Sequence, residues 1–343
     1  MAHDRPIHVM LGLCTVVAIC AALYFARAIF VPITFSIFII ALVWPLQSAL
    51  QSKIPTLLAL ALTISITAIV ISVVALLLVW GFGVVGQWLF KNAARYQELY
   101  ANIVAWLDGH GIYAAGVIAE YFNVNWILRA FQQLTGRVHG VLTFVVTTLV
   151  FLLLGLLEVL VVKRKLEVFS NRELGQGLLT AFTSIAAKFR RYMVVRTGMS
   201  VVTGIAIWAF SLLAGVELAT AWGVIAFALN YIPFIGPFIA TIFPSMFAIA
   251  QSESWQMALV VFIGLNLIQF LIGSYLEPRV AGAALSISPF VVLFSVFFWL
   301  FLWGIPGAFI GVPIMIAVIT ICGQFDASRW VFELLSGDSK AVR

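Results

Sequence analysis

Long apolar stretches alternate with short polar segments along almost the whole of this chain. Four apolar runs cover residues 7–25, 29–50, 56–86 and 141–162, and the second is interrupted by Pro32 near its start and Pro45 near its end. Because a helix of about 20 apolar residues crosses the hydrocarbon core of a bilayer, each run predicts one transmembrane helix. With the apolar stretches further along, the pattern predicts an all-α, polytopic helical membrane protein with about eight hydrophobic segments.

Two later apolar stretches are broken in the middle by proline and glycine. Residues 222–250 contain Asn-Tyr-Ile-Pro-Phe-Ile-Gly-Pro at 230–237, and residues 289–321 contain Gly-Ile-Pro-Gly at 304–307. A broken helix in a bilayer leaves backbone groups unpaired, and it is tolerated only where it packs in protein or lines a watery cavity. A pair of interrupted segments therefore indicates a transport site.

Two polar regions separate the spans. Residues 87–140 carry apolar side chains at helical spacing with a Gly-containing turn at 108–111, which predicts a hairpin of two amphipathic helices. Residues 166–200 combine a helical apolar stripe with several Lys and Arg side chains. A basic amphipathic helix beside a span is typical of the inner leaflet surface.

The Lys and Arg side chains in short loops predict the orientation. With the N-terminus inside, Lys53, residues 163–165 and the cluster around Arg190 are all cytoplasmic, and Arg27 is the exception. This predicts a multi-pass membrane protein with both termini in the cytoplasm. The predicted parts are three N-terminal transmembrane helices (1–86), an extracytoplasmic amphipathic hairpin (87–140), the fourth span with the cytoplasmic basic helix (141–199), a transport core (200–323) and a cytoplasmic tail (324–343).

The broken segments allow two topologies. If both cross the membrane fully, Arg279 lies outside; if both are re-entrant hairpins, Arg279 lies inside, and the tail is inside in either case. Each half-stretch of about 13 residues is roughly 20 Å of helix, which suits a half-membrane arm. Positive-inside counting favours the re-entrant form, and full crossing stays open.

Composition agrees with a membrane protein and excludes several other classes. The chain is 64% hydrophobic and 9% charged, with a mean hydropathy of +1.14, whereas soluble domains are about 25% charged. The net charge of +6 comes without a basic, aromatic-interleaved patch, so no nucleic-acid partner is expected.

Motifs for catalysis, cofactors and metals are not recognised in the sequence. The three cysteines lie in apolar runs without metal-ligand spacing, and HExxH, Walker and GxSxG motifs are missing. The GxGxxG match at 81–86 follows a long apolar helix and not a βαβ unit, so it is a chance match. We expect no enzyme activity, no metal and no cofactor, with H⁺ or Na⁺ as a possible coupling ion.

Polar residues in the last third are the candidates for the substrate or ion pathway. Asn266, Gln269, Gly273 and Glu277 have helical spacing and predict a polar stripe on one helix face. Alternatively, the amides join helices and Glu277 forms an interfacial ion pair with Arg279. Asn230 precedes the first break, where its side chain either contacts the transported species or caps its own helix end.

The candidate pathway residues lie in the breaks or on this stripe. They are Asn230, Pro233, Gly236, Pro237, Asn266, Gln269, Glu277, Arg279, Gly304 and Gly307.

Several motifs together resemble the autoinducer-2 exporter family of bacterial membrane proteins. The resemblance covers nearly the whole chain in order and is specific from Arg190 onward. It is carried by Pro45, Ile54-Pro55, Arg190-Arg191-Tyr192 with Arg196-Thr197, the 230–237 motif, Leu276-Glu277-Pro278-Arg279, Ser288-Pro289, Trp303-Gly304-Ile305-Pro306-Gly307 and Val312-Pro313.

The resemblance implies a membrane secondary transporter that exports or exchanges a small polar solute, such as an autoinducer-2-like signal. It also implies homo-oligomers. Some relatives are associated with sodium–proton antiport, so a Na⁺(Li⁺)/H⁺ antiporter is the alternative. A non-transporting oligomeric scaffold is the alternative of another class, although a scaffold has no use for broken helices at mid-membrane.

Overall fold

The computed structural model describes residues 4–109, 138–252, 254–281 and 287–337, and nearly all of them are helical. Within these ranges seven helices are long and apolar enough to cross a membrane by length and composition. The prediction of an all-α polytopic membrane protein is confirmed.

The N-terminal half is made of long helices. They are α1 (Asp4–Phe25), α2 (Arg27–Gln51), α3 (Thr56–Lys91), α4 (Ala93–Gly109), α5 (Val138–Glu167) and α6 (Arg172–Leu213). The second amphipathic helix expected between 110 and 137 lies outside the described residues.

Shorter helices follow. They are α7 (Ala219–Leu229), α8 (Ile235–Ser252), α9 (Trp255–Phe270), a π-helical segment (Leu271–Leu276), α10 (Glu277–Ala281), α11 (Pro289–Trp303), α12 (Ile305–Cys322), a short 3₁₀ turn (Asp326–Ser328) and α13 (Arg329–Leu335).

Helix α6 differs from the sequence expectation. A basic amphipathic helix and a separate fifth span were expected, but the 42 residues of α6 form one continuous helix. At 1.5 Å per residue it is about 63 Å long, roughly twice the thickness of a bilayer core. The helix is therefore longer than one crossing requires, and its apolar C-terminal half is the part that suits a span.

Both broken stretches form helical hairpins. In the second one, the Ser295 hydroxyl of α11 donates to the Gly311 carbonyl of α12 over 2.7 Å. The turn is Gly304, with φ 70° and ψ −150°, a conformation open to glycine alone. A Cβ on Gly307 would collide with the carbonyl oxygen of Trp299, so glycine also permits the close approach of the two arms.

The lengths of the hairpin arms do not decide between the two topologies that the sequence allows. Helix α7 has 11 residues and α11 has 15, both fewer than the about 20 that span a bilayer core. Their partners α8 and α12 have 18 residues each. The choice between re-entrant and fully crossing arms stays a prediction.

The chain divides into two compact units. The first unit contains the described residues of 1–68, 143–193 and 281–343, and the second those of 69–142 and 194–280. Each has an apolar core: Leu60, Leu152 and Leu156 in the first, and a cluster that includes Ile207 and Trp222 in the second. The predicted five-part division follows the chain order and stays a prediction.

Proline inside α2 of the first unit is accommodated by a basic side chain. Pro45 has no N–H, so the carbonyl of Ala41 loses its partner within the helix. The Arg190 guanidinium of α6 donates to this carbonyl over 3.1 Å. Long-range side-chain hydrogen bonding thus compensates for the backbone bond that proline removes.

Candidate functional site

A nearly buried ion pair lies at the centre of the candidate site. Arg196 of α6 donates from Nη1 to Oε1 of Glu277 over 2.6 Å. Arg196 is only 5% exposed, and its Nε has no partner within the described part of the chain. A buried cation and a partly exposed carboxylate in such contact are held by a charge-assisted hydrogen bond, and removing Glu277 leaves Arg196 without a counter-charge.

The π-helical segment Leu271–Leu276 brings Glu277 to this position. A π-helical turn takes in one residue more than an α-helical turn, so every later residue is turned back by about 100°. Glu277 is the eighth residue after Gln269. It therefore points in the direction that the seventh residue would have in an uninterrupted α-helix. Residues i and i+7 share a helix face, so Gln269 and Glu277 lie on the same side.

The residues of the predicted polar stripe differ in burial. Gln269 and Glu277 are half-buried. Asn266 is exposed, and its amide donates to the Phe262 carbonyl of its own helix over 2.8 Å. The assignment of this stripe to the transport pathway stays a prediction.

Arg279 contacts Tyr275 and not Glu277, the partner considered in the sequence analysis. Its guanidinium lies 3.7 Å from the centroid of the Tyr275 ring, a cation–π contact. Since Glu277 pairs with Arg196, the alternative of a Glu277–Arg279 ion pair is wrong.

Two side chains at the first break bind α6 one turn from the ion pair. The Asn230 amide donates to the Ser200 hydroxyl over 3.3 Å, and the Tyr231 hydroxyl donates to the Thr197 hydroxyl over 2.9 Å. Asn230 is the C-terminal cap residue of α7 by its backbone, yet its side chain reaches another helix. The first break is therefore tied to the helix that carries Arg196.

The break itself has the backbone features predicted from its prolines and glycine. Phe234 has φ 63°, a left-handed conformation that is rare for a large side chain. The Gly236 N–H donates to the Ile232 carbonyl over 2.9 Å, and a Cβ on Gly236 would collide with the Leu229 carbonyl. Pro237 opens the following turn, and its carbonyl accepts the Thr241 hydroxyl over 2.7 Å.

Helices α6 and α7 approach each other closely through two glycines. A Cβ on Gly204 would lie 2.9 Å from the Gly223 carbonyl, and a Cβ on Gly223 would lie 2.8 Å from the Trp208 Cβ. Small residues allow such contact between helix backbones in a membrane. This contact aligns the break at Asn230 with Ser200.

The predicted pathway residues are divided between the two compact units of the chain. Asn230, Pro233, Gly236, Pro237, Gln269 and Glu277 all belong to the second unit, as do Asn266 and Arg279. Gly304 and Gly307 belong to the first unit, where they form the turn of the α11–α12 hairpin.

The sequence motifs include Arg196, Thr197 and Tyr231 but do not indicate that these residues and Ser200 belong to the site. By its position among the other cations of 166–200, Arg196 is expected at the leaflet surface. The available signal was its spacing: Arg196, Ser200 and Thr203 are four and three residues apart within an apolar segment, which places them on one helix face.

The fold defines a polytopic helical membrane protein. The similarities of the sequence to known proteins define its class further. The family model of the AI-2E family transporter matches residues 13–326, so the chain belongs to the AI-2E transporter family. The resemblance found in the sequence motifs is confirmed, and the protein is a membrane transporter by family.

Relatives are similar over most of their length. The AI-2 transport protein TqsA of Escherichia coli is 30% identical over 98% of this chain and 97% of its own. A putative transport protein of Borreliella burgdorferi is 29% identical over 74% of this chain and 70% of its own. A putative transport protein of Haemophilus influenzae is 25% identical over 98% of this chain and 99% of its own.

Proposed function

We propose that this protein is a secondary transporter of the bacterial inner membrane, with cytoplasmic termini, which exports or exchanges a small polar solute such as autoinducer-2. The observation that carries the proposal is the Arg196–Glu277 ion pair beside the first helix break. The name of the TqsA relative supports the choice of solute.

The ion pair is suited to act as a switch between two states. A buried pair that loses one partner is destabilised by about 3–5 kcal/mol, so a state without the contact needs a compensating interaction. A proton on Glu277 weakens the contact by removing the negative charge, and acceptor oxygens of a bound solute or water then compensate Arg196. The side chain of Glu277 is 26% exposed, which gives a proton or Na⁺ a route to the carboxylate.

The broken hairpin α7–α8 supplies the moving part. Its break is held to α6 by the Asn230 and Tyr231 side chains through single hydrogen bonds, each of which contributes about 1 kcal/mol. Opening the ion pair frees α6 to shift relative to Asn230 at low cost. Access to the break then alternates between the two sides of the membrane, as in other transporters with discontinuous helices.

A Na⁺(Li⁺)/H⁺ antiporter is the second candidate function. The observation that favours it is Glu277, a carboxylate that a proton and a cation can occupy in turn. The two functions are separated by flux: an antiporter moves Na⁺ when only a pH gradient is applied, and a solute exporter moves autoinducer-2.

Transport by purified protein in proteoliposomes tests the proposal. We expect Glu277→Gln to lower the initial rate of autoinducer-2 uptake at least tenfold, because the switch loses its charge. The matched control is Glu158→Gln, since Glu158 is an exposed carboxylate on the apolar helix α5. Wild-type rates in Glu277→Gln would contradict the role of the pair, and a scaffold protein would move neither autoinducer-2 nor Na⁺.

A further inference from the structure

The α7–α8 hairpin is held together at its base by one glutamine side chain. Gln251 lies at the C-terminal end of α8, and its Nε2 donates to the Gly215 carbonyl over 2.8 Å. Its Oε1 accepts a hydrogen bond from the Glu217 N–H over 2.8 Å. Gly215 and Glu217 belong to the loop between α6 and α7. The Gln251 amide therefore joins the chain that enters the hairpin to the chain that leaves it.

A tryptophan of α3 attaches the same base to a further helix. Nε1 of Trp88 donates to Oε2 of Glu217 over 2.6 Å, a charge-assisted hydrogen bond. The ring centroids of Trp88 and Phe247 lie 4.1 Å apart, and Phe247 packs edge-on against Trp222 of α7 at 5.3 Å. Trp222 and Phe247 are both buried. The base is therefore packed as well as hydrogen-bonded.

The loop that enters the hairpin has an unusual backbone. Gly215 has φ 70° and Leu218 has φ 59°, so both are left-handed. A left-handed leucine is strained and persists only where the surrounding structure holds it. The hydrogen bonds of Gln251 hold the loop on one side, and the Val216 N–H donates to the Ser211 carbonyl of α6 over 2.8 Å on the other. The path of the chain into α7 is thereby fixed.

The tip of the hairpin is attached less firmly than its base. Asn230 and Tyr231 each donate one neutral hydrogen bond to α6, over 3.3 Å and 2.9 Å. The three hydrogen bonds at the base are 2.6 Å to 2.8 Å long, and one of them has a carboxylate as acceptor. Because shorter, charge-assisted hydrogen bonds are the stronger ones, a movement of the hairpin breaks the contacts at the tip first.

The length of α8 converts a small rotation at the base into a large displacement at the tip. Gln251 lies sixteen residues after Ile235, the first residue of α8, which is about 24 Å of helix. A rotation of about 10° at the base therefore moves the tip by about 4 Å, enough to separate hydrogen-bonded side chains. The tip contacts can open while the base contacts stay formed.

We propose that Gln251 and Trp88 are positioning residues, which fix the base of the α7–α8 hairpin as a pivot about which the tip at Asn230 swings away from α6 during transport. The proposal rests on the transport function proposed above and assigns the movement to one end of the hairpin. The base stays closed in every state, whereas the contacts at the tip open and close once in each transport cycle.

Reversible crosslinking at either end of the hairpin tests the pivot. The full-length protein carries two cysteines in a background in which serine replaces the three native cysteines. The base pair is Trp88→Cys with Glu217→Cys, and the tip pair is Ser200→Cys with Asn230→Cys. A short bifunctional methanethiosulfonate joins either pair in proteoliposomes, dithiothreitol releases it, and mass spectrometry measures how much crosslink has formed.

The initial rate of autoinducer-2 uptake is compared with and without the crosslink in the same protein. We expect the base crosslink to leave the rate within about twofold, and the tip crosslink to lower it at least tenfold, because a step that opens the tip is blocked. Reduction should restore the rate, which shows that the protein is folded. Thr197→Cys with Tyr231→Cys is a second tip pair, since these two side chains are also in contact.

The outcomes separate the two proposals. A base crosslink that stops uptake as fully as a tip crosslink overturns the pivot and leaves the transport function standing, because the base then has to open. Tip pairs that never form a crosslink, or whose crosslinks leave uptake unchanged, overturn it as well, because the tip then does not move. If the wild type moves Na⁺ and not autoinducer-2, the proposed function is overturned, and the crosslinks decide the pivot by Na⁺ flux. If it moves neither, both proposals are overturned.

Discussion

Arg196 and Glu277 are in contact because a π-helical segment precedes Glu277. The 2.6 Å contact joins residues on α6 and α10 that are far apart in the sequence, and in an uninterrupted α-helix Glu277 would point about 100° away from the direction that it has here. Single-turn π-helices are frequent at functional sites. Here the irregular turn gives a buried cation its counter-charge.

The pair predicts a specific pattern of stabilities. Glu277→Gln should lower the free energy of unfolding by about 3–5 kcal/mol, because Arg196 stays buried without a counter-charge. Arg196→Met combined with Glu277→Gln should recover a large part of this loss. Thermal unfolding of the purified variants in detergent measures both, and a double variant as unstable as the sum of the single ones would contradict the coupling.

Deleting Gly273 tests the role of the π-helical segment. A Cβ placed on Gly273 would meet no neighbouring atom within 4 Å, so removal of this residue restores α-helical spacing with little loss of packing. Glu277 then becomes the seventh residue after Gln269 in an uninterrupted α-helix, so it keeps its direction towards Arg196. In this background Glu277→Gln should lower the thermal midpoint as much as it does in the wild type, and loss of this effect would show that the π-helical segment is not a one-residue change of register.

The hydrogen bond from Arg190 to Ala41 predicts a dependence on Pro45. Arg190→Met should destabilise the protein by about 1–3 kcal/mol, since the Ala41 carbonyl loses its partner. Pro45→Ala restores an amide N–H four residues after Ala41, so Arg190→Met should cost less in that background. The thermal midpoints of the wild type, the two single variants and the double variant measure this dependence. If Arg190→Met lowers the midpoint equally in the wild type and in the Pro45→Ala background, Arg190 does not compensate for the proline.

Close contact between α6 and α7 predicts unequal effects of two glycine substitutions in one helix. Gly204→Ala places a Cβ 2.9 Å from the Gly223 carbonyl, whereas a Cβ on Gly198 meets nothing within 4 Å. Gly204→Ala should therefore lower both the thermal midpoint and the transport rate, and Gly198→Ala should be neutral or slightly stabilising through helix propensity. Similar effects of the two substitutions would argue against the close approach.

The sequence predicted those parts of the fold that depend on local pattern. Hydropathy located the spans, and the Pro and Gly residues at 230–237 and 304–307 located both hairpin turns, because the bilayer restricts where a helix can break. Glu277 and Asn230 were found for the same reason, since polar residues are conspicuous in apolar segments.

Parts of the site that depend on tertiary contacts could not be predicted in this way. The π-helical segment 271–276 has the same apolar composition as an α-helix, so no sequence signal marks the change in the direction of Glu277. The partner of Glu277 lies on a helix whose other arginines are exposed or half-buried, and one sequence does not distinguish a buried arginine from these. The role of Ser200 depends on Asn230, which lies on another helix.

Water access to the break beside the ion pair decides most directly whether this break lies on the transport pathway. It is measured by the reactivity of Asn230→Cys towards a water-soluble thiol reagent in proteoliposomes, after Cys14, Cys20 and Cys322 are replaced by serine. Asn230 is 5% exposed and Ile207, the control position for Ile207→Cys, is 0% exposed. We predict that Asn230→Cys reacts, at a rate that autoinducer-2 or an ion gradient changes severalfold, while Ile207→Cys does not react. An Asn230→Cys variant as unreactive as Ile207→Cys under every condition would contradict a pathway at the break.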